Sequence, residues 1–198
     1  YCVGGNDMTR DEFEKICWRY YLVLENAFDD VLNYVELDER NYTTFSYEFI
    51  RQIQTIGAEI DSVFKVICGF GSGERKNSAD YYPIILGNYP DIKTRSVSIR
   101  GLTITPFENW DLQSATKSLF WYKAYNDIKH GRAGGFESAN LKNVLYALAG
   151  LFLLEMYYFR TISGENEPDV PVKKSKIFSI VGWNPRWISS AETFLVTY

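Results

Sequence analysis

The sequence predicts a mainly α protein: a helical bundle of about five helices with a minor β element. Three observations carry this expectation. Apolar residues recur at helical spacing in two long stretches, Phe13 to Val35 and Phe45 to Ile67. The segment Leu141 to Phe159 is apolar on most of its sides, as the central helix of a bundle must be. The stretch Arg95 to Thr105 alternates β-branched and polar residues and is broken by Gly101, which favours a strand or small hairpin.

Residues 1–8, with the pair Gly4-Gly5, read as a flexible lead-in. Thr9-Arg-Asp-Glu12 is a capping-box pattern, with a hydroxyl for the third amide and a carboxylate reaching back. A long first helix is expected over Arg10 to Glu36, placing Phe13, Cys17, Tyr20, Tyr21, Leu24, Phe28, Val31, Leu32 and Val35 at helical spacing. The polar, charged residues Leu37 to Thr43 form a loop. The second helix is expected to begin near Thr44 and to end at Gly69 or Gly71, where glycine can take the left-handed terminal geometry. Gly69 to Asn77 is glycine-rich. Its string Gly-Phe-Gly-Ser-Gly-Glu-Arg-Lys invites comparison with a phosphate cradle, but a preceding strand and a Gly-Lys-Ser/Thr ending are missing. A mobile connection between helices is the better reading. Ser78 to Asn88 suits a short helix with Pro83 in its first turn, ended by Tyr89-Pro90.

The fourth major helix is expected over Thr116 to His130, broken by Gly131 to Gly135. The fifth runs from Phe136 to Arg160, with Ser138 or Asn140 as its cap. Ser163 to Lys176 reads as a polar linker with two prolines. The tail, Ile177 to Tyr198, has apolar clusters at Phe178, Ile180, Val181 and at Phe194 to Val196 that suit two strands. The whole chain, 1–198, is expected to form one domain, with 163–198 as a C-terminal extension.

Composition narrows the function. Hydrophobic residues make up 46% and charged residues 23%, which is globular and not disordered composition. The net charge of −4 argues against a broad nucleic-acid-binding face but not against a local one. Three cysteines, Cys2, Cys17 and Cys68, argue for a reducing compartment and a cytoplasmic protein. No Cys/His cluster has zinc-ligand spacing, and no cofactor or metal is expected. The longest apolar run, Val144 to Leu154, is too short for a bilayer and reads as a core helix. The first residues carry no signal-peptide pattern.

The one histidine, His130, stands in Trp121-Tyr-Lys-Ala-Tyr-Asn-Asp-Ile-Lys-His-Gly-Arg132. On a helix, Lys123, Asn126 and His130 share a face. Between Ala115 and Leu145 five Lys/Arg (117, 123, 129, 132, 142) face two acids, Asp127 and Glu137, so the region is locally basic. Such a group could cleave RNA: histidine moves a proton near neutral pH, Lys or Arg meets charge on the phosphoryl oxygens, and Asn orients the ring or the phosphate. The 2′-hydroxyl is the nucleophile, so no metal is required. One histidine per chain then calls for a homodimer. The catalytic candidates are His130, Asn126 and Lys123; the substrate-binding candidates are Lys129, Arg132 and Tyr125. A purely structural reading competes. Lys129 and His130 suit the negative end of a helix, Gly131 suits its cap, and Asp127 could pair with His130. Trp121, Tyr122 and Tyr125 could stack bases, though core packing suits at least two of the three better. Glu59 is a candidate for a buried carboxylate paired with a basic group of the fourth helix; Asp61 falls beside that face.

The same string, with Phe136 to Phe152, Phe45-Ser-Tyr-Glu-Phe49 and Gly57 to Cys68, resembles a group of uncharacterised bacterial and phage proteins over about Phe45 to Phe159. That group in turn resembles the HEPN superfamily. The resemblance implies a helical bundle acting as a dimeric, metal-independent endoribonuclease or RNA-binding factor in toxin–antitoxin or phage-defence systems, with RNA and an antitoxin or other protein as partners. The superfamily signature is an Arg, then a polar residue, then a His four to six residues after the Arg. Asn126 and His130 match it. The Arg position falls on Tyr125, which leaves Lys123 or Arg132 to supply charge, and lysine offers a point charge where Arg offers a fork. The other function class is a non-catalytic helical module that binds a partner protein or a nucleotide.

Overall fold

The computed structural model describes residues 8–131 and 135–186. It is mainly helical, with one small antiparallel sheet, as the sequence predicts. The chain begins with α1 (Arg10–Phe13), passes through a π-helical turn (Glu14–Trp18) and continues as α2 (Arg19–Val31). The Thr9 hydroxyl accepts the Glu12 N–H at 3.3 Å, and the Thr9 N–H donates to the Glu12 carboxylate at 2.9 Å. The π turn adds a residue to one helical turn and so rotates the face that follows. Cys17, Trp18 and Tyr21 are buried, whereas Tyr20 is 39% exposed. The helix stops at Val31, short of the expected Glu36. Just beyond it, the Asn33 side chain donates to the Asp30 carbonyl at 3.1 Å, a local bond that competes with helix.

Helix α3 (Tyr47–Cys68) starts at Ser46, whose hydroxyl accepts the Phe49 N–H at 3.1 Å, and closes on Gly69 with φ +70°. Helix α4 (Ser78–Asn88) is capped by Asn77; Pro83 lies in its interior and not in the first turn, and has no N–H to offer the Ala79 carbonyl one turn back. The hairpin is β1 (Val97–Ile99) and β2 (Leu102–Ile104), with Val97 opposite Ile104. Arg100 and Gly101 both have positive φ, which makes a tight two-residue turn. The other edge of β1 pairs with β3 (Ser179–Ile180), giving the order β2-β1-β3. The second expected tail strand lies outside the described residues.

The expected fourth helix is two: α5 (Ala115–Ser118) and α6 (Phe120–His130), broken at Leu119, where ψ is 92° and the side chain is buried. After a 3-10 turn over Phe136–Ser138, Asn140 caps α7 (Leu141–Ile162), later than the expected start at Phe136. The Asn140 side-chain oxygen accepts the Asn143 N–H at 3.0 Å. By length and hydropathy α7 could cross a membrane, yet 78% of its apolar window is buried inside the protein. It packs on α3 above all, then on α6, α2 and α1, and is the centre of the core.

The stretch expected as a polar linker is instead strapped to the helices. Its carbonyl at Lys173 accepts the Trp18 indole N–H at 2.6 Å. Glu25, buried in α2, accepts the Lys176 N–H at 3.0 Å, the Tyr21 hydroxyl at 2.7 Å and the Ser175 hydroxyl. Asp169 is fully buried and accepts Nε of Arg160 at 2.5 Å and the Arg186 N–H at 2.7 Å. Polar residues can line a core when each finds a partner there, which periodicity does not reveal.

Candidate functional site

Helix α6 carries the site, and its buried face determines where the site points. Trp121, Tyr122, Ala124, Tyr125 and Ile128 are buried. Two glycines receive the largest rings. A Cβ on Gly150 of α7 would lie 3.1 Å from the Trp121 ring, and one on Gly57 of α3 would lie 2.3 Å from the Tyr125 ring. The Trp121 indole N–H donates to the Pro106 carbonyl at 2.8 Å. With these rings inserted, the opposite edge of α6 turns toward the Gly69–Asn77 loop.

Between α6, α3 and that loop lies an open cleft of about 520 Å³. Asn126, Lys129 and His130 line it from α6, and Asp61 and Lys65 from α3. Arg75 and Lys76 line it from the loop. Four Lys/Arg side chains and the imidazole thus face two carboxylates, those of Asp61 and Glu74. The excess of positive charge is local, inside an acidic chain.

His130 is the last residue of α6 and is exposed, and its side chain makes no hydrogen bond or ion pair with the described residues. Asp127, its suggested partner, pairs with Lys123. Gly131 follows with φ −166°, extended backbone and not a left-handed cap, while its N–H closes the helix on Asp127 at 2.9 Å. Asn126 is beside His130 in the cleft but does not orient it; its amide nitrogen donates to the Tyr122 carbonyl at 3.1 Å.

Lys123 is not brought to the cleft: its ammonium is held by Asp127 on the outer side of α6. Tyr125, expected at the substrate, is 4% exposed with its ring against Gly57. Its hydroxyl instead accepts from Nζ of Lys129 at 3.3 Å. Lys129 therefore stands in the cleft with its ammonium steered by Tyr125 and, at 3.9 Å, by Asp61. Arg132 lies outside the described residues.

Asp61, which the sequence sets beside the Glu59 face and gives no role, belongs to the site. It accepts the Tyr122 hydroxyl at the base of the cleft. Burial and this carboxylate push the Tyr122 phenol far above its ordinary range. A signal was present: Gly57, Asp61 and Lys65 are spaced four apart and form one stripe of α3, the stripe that meets α6. Glu59, expected to be buried, is, and burial pushes its carboxyl up, but it does not line the cleft.

The glycine-rich loop is a component that sequence reasoning missed. It is closed on itself: the Glu74 N–H donates to the Gly71 carbonyl at 3.0 Å, and the Gly71 N–H donates to the Glu74 carboxylate at 2.7 Å. A loop amide that a phosphate cradle would offer is thus taken by the loop's own carboxylate. Its cations, Arg75 and Lys76, reach the same cleft as His130 although they are far from it in sequence. Compared with known proteins, the chain matches no family model, no curated protein and no solved structure.

Proposed function

We propose that this chain is a HEPN-like RNA-binding protein whose cleft takes the phosphate backbone of single-stranded RNA. The observation that carries the reading is His130: an exposed imidazole at the end of α6, in one cleft with Lys129, Lys65, Arg75 and Lys76. Lysine and arginine groups in a cleft neutralise phosphates, and an imidazole there can move a proton at the phosphodiester. In cleavage, the RNA 2′-oxygen bonds to phosphorus as the 5′-oxygen bond breaks; one group takes the 2′-proton and another protonates the leaving oxygen. A single chain brings one imidazole, so the cleaving form is a homodimer that places a second His130 at the same phosphate. A role as a toxin or defence factor held in check by a partner protein belongs to the same reading.

Binding without cleavage is favoured by a separate observation. Tyr125, at the position where the superfamily carries arginine, is buried, and Lys123 is occupied by Asp127. One experiment addresses both. Labelled single-stranded RNA is incubated with wild type and with His130→Ala in the presence of a chelator. The RNA reading expects binding by both proteins, with any cleavage confined to wild type. Absence of binding by wild type at low salt sinks it. Binding without cleavage at any pH leaves the non-catalytic form, and equal cleavage by both proteins assigns the activity to a contaminant.

A further inference from the structure

On the loop wall of the cleft, the Glu74 carboxylate is held by the loop's own donors. Glu74 Oε1 accepts the Gly71 N–H at 2.7 Å, and its Oε2 lies 3.1 Å from Nζ of Lys76. Lys65 approaches from α3, donating to the Ser72 carbonyl at 3.1 Å. The Gly71 N–H first, then the Lys76 hydrogen bond, hold the Glu74 carboxyl below its usual range, with the Lys76 and Lys65 charges adding to this. A backbone N–H and one ammonium group on a carboxylate, with the Lys65 ammonium held close by at the Ser72 carbonyl, are donors of the kind that also hold a phosphate. Arg75, the next residue, lines the cleft with no hydrogen bond or ion pair to the described residues.

We propose that Glu74 is the resident occupant of a phosphate site in the loop, and that an RNA phosphate entering the cleft displaces its carboxylate from Gly71 and Lys76 while Arg75 closes on the incoming group. RNA as the ligand rests on the function proposed above; the anion site itself does not. Glu74 then acts as a brake. It is the carboxylate that a ligand must push aside at the loop, whereas Asp61, at the base of the cleft, is engaged by Tyr122.

The test uses Glu74→Gln, which keeps an oxygen acceptor for the Gly71 N–H and removes the charge. Wild type, Glu74→Gln and the double variant Glu74→Gln/Lys76→Gln are titrated calorimetrically with inorganic tripolyphosphate and with a single-stranded RNA oligonucleotide. The amide signals of Gly71 and Gly73 report whether the loop keeps its form. Removing the competing charge should tighten binding of both ligands about threefold to fivefold at low salt. The gain should shrink as salt rises, and the double variant should lose it. Equal or weaker binding by Glu74→Gln with the loop signals in place overturns the proposal, as does a gain that survives loss of Lys76. Tighter tripolyphosphate binding with no RNA binding by any protein upholds the phosphate site and overturns the RNA reading. Binding of neither ligand overturns both.

Discussion

The Tyr125 ring stands where a side chain on Gly57 would be: a Cβ added to Gly57 would fall 2.3 Å from two of its ring carbons. The contact sets how closely α6 approaches α3 and holds the phenol hydroxyl where Lys129 donates to it. Gly57→Ala should therefore force the two helices apart. The expected loss of stability is about 1–3 kcal/mol or more, as for overpacking elsewhere in protein cores. Thermal denaturation measures it, and an unchanged midpoint would show that the helices adjust freely.

Lys123 and Lys129 are both half-exposed lysines of α6, yet the fold gives them different tasks. Lys123 is paired with Asp127 away from the cleft, and Lys129 stands in it. Lys129→Ala should weaken RNA binding several-fold and lower its salt dependence by about one counterion. Lys123→Ala should leave both nearly unchanged. Fluorescence anisotropy across a salt series distinguishes them, and equal effects would mean that the cleft is not the binding surface.

Tyr157 predicts an alkaline limit. An unfolded tyrosine loses its proton near pH 10, whereas burial first, and then the hydrogen bond to Asp91, push Tyr157 up to about 12. Between these values the folded chain binds more protons than the unfolded one, so stability falls as pH rises through this window. Tyr157→Phe should flatten that fall by up to about 1.4 kcal/mol per pH unit. Urea denaturation at a series of alkaline pH values checks this; identical slopes for both proteins would remove Tyr157 from the account.

Asp169 anchors the C-terminal strap. It is fully buried and accepts from Arg160 and Arg186, whose own side chains remain 34% and 40% exposed. Asp169→Ala leaves two guanidinium groups facing a vacated acceptor site. The cost should be about 2–3 kcal/mol, below that of a wholly buried pair because water can reach the arginines. Limited proteolysis should then cut the stretch 163–186 before the helices. Resistance equal to wild type would mean that the Glu25 contacts suffice to hold the strap.

Much of the architecture was legible because it depends on neighbours in sequence. The Thr9 and Asn140 caps, the end of α3 at Gly69 and the hairpin around Gly101 follow from residues within one turn of each other. The π turn and the break at Leu119 were not legible, since each is a local departure from regular helix made to bury particular side chains. The strap was misread for a related reason. Its polar residues look solvated until Glu25 and Asp169 are seen to be buried partners for them.

By itself, then, the sequence determined a bundle built on one central apolar helix and the location of His130 at the end of a basic, amphipathic one. Both follow from periodicity, which records how a helix divides its faces between core and water. Only the tertiary structure decided which charged groups share a site with His130. It removed Lys123, buried Tyr125, and brought in Asp61, Lys65 and the Arg75 loop. Periodicity assigns a side chain to a face; the rings of Trp121 and Tyr125, seated on Gly150 and Gly57, determine what that face meets.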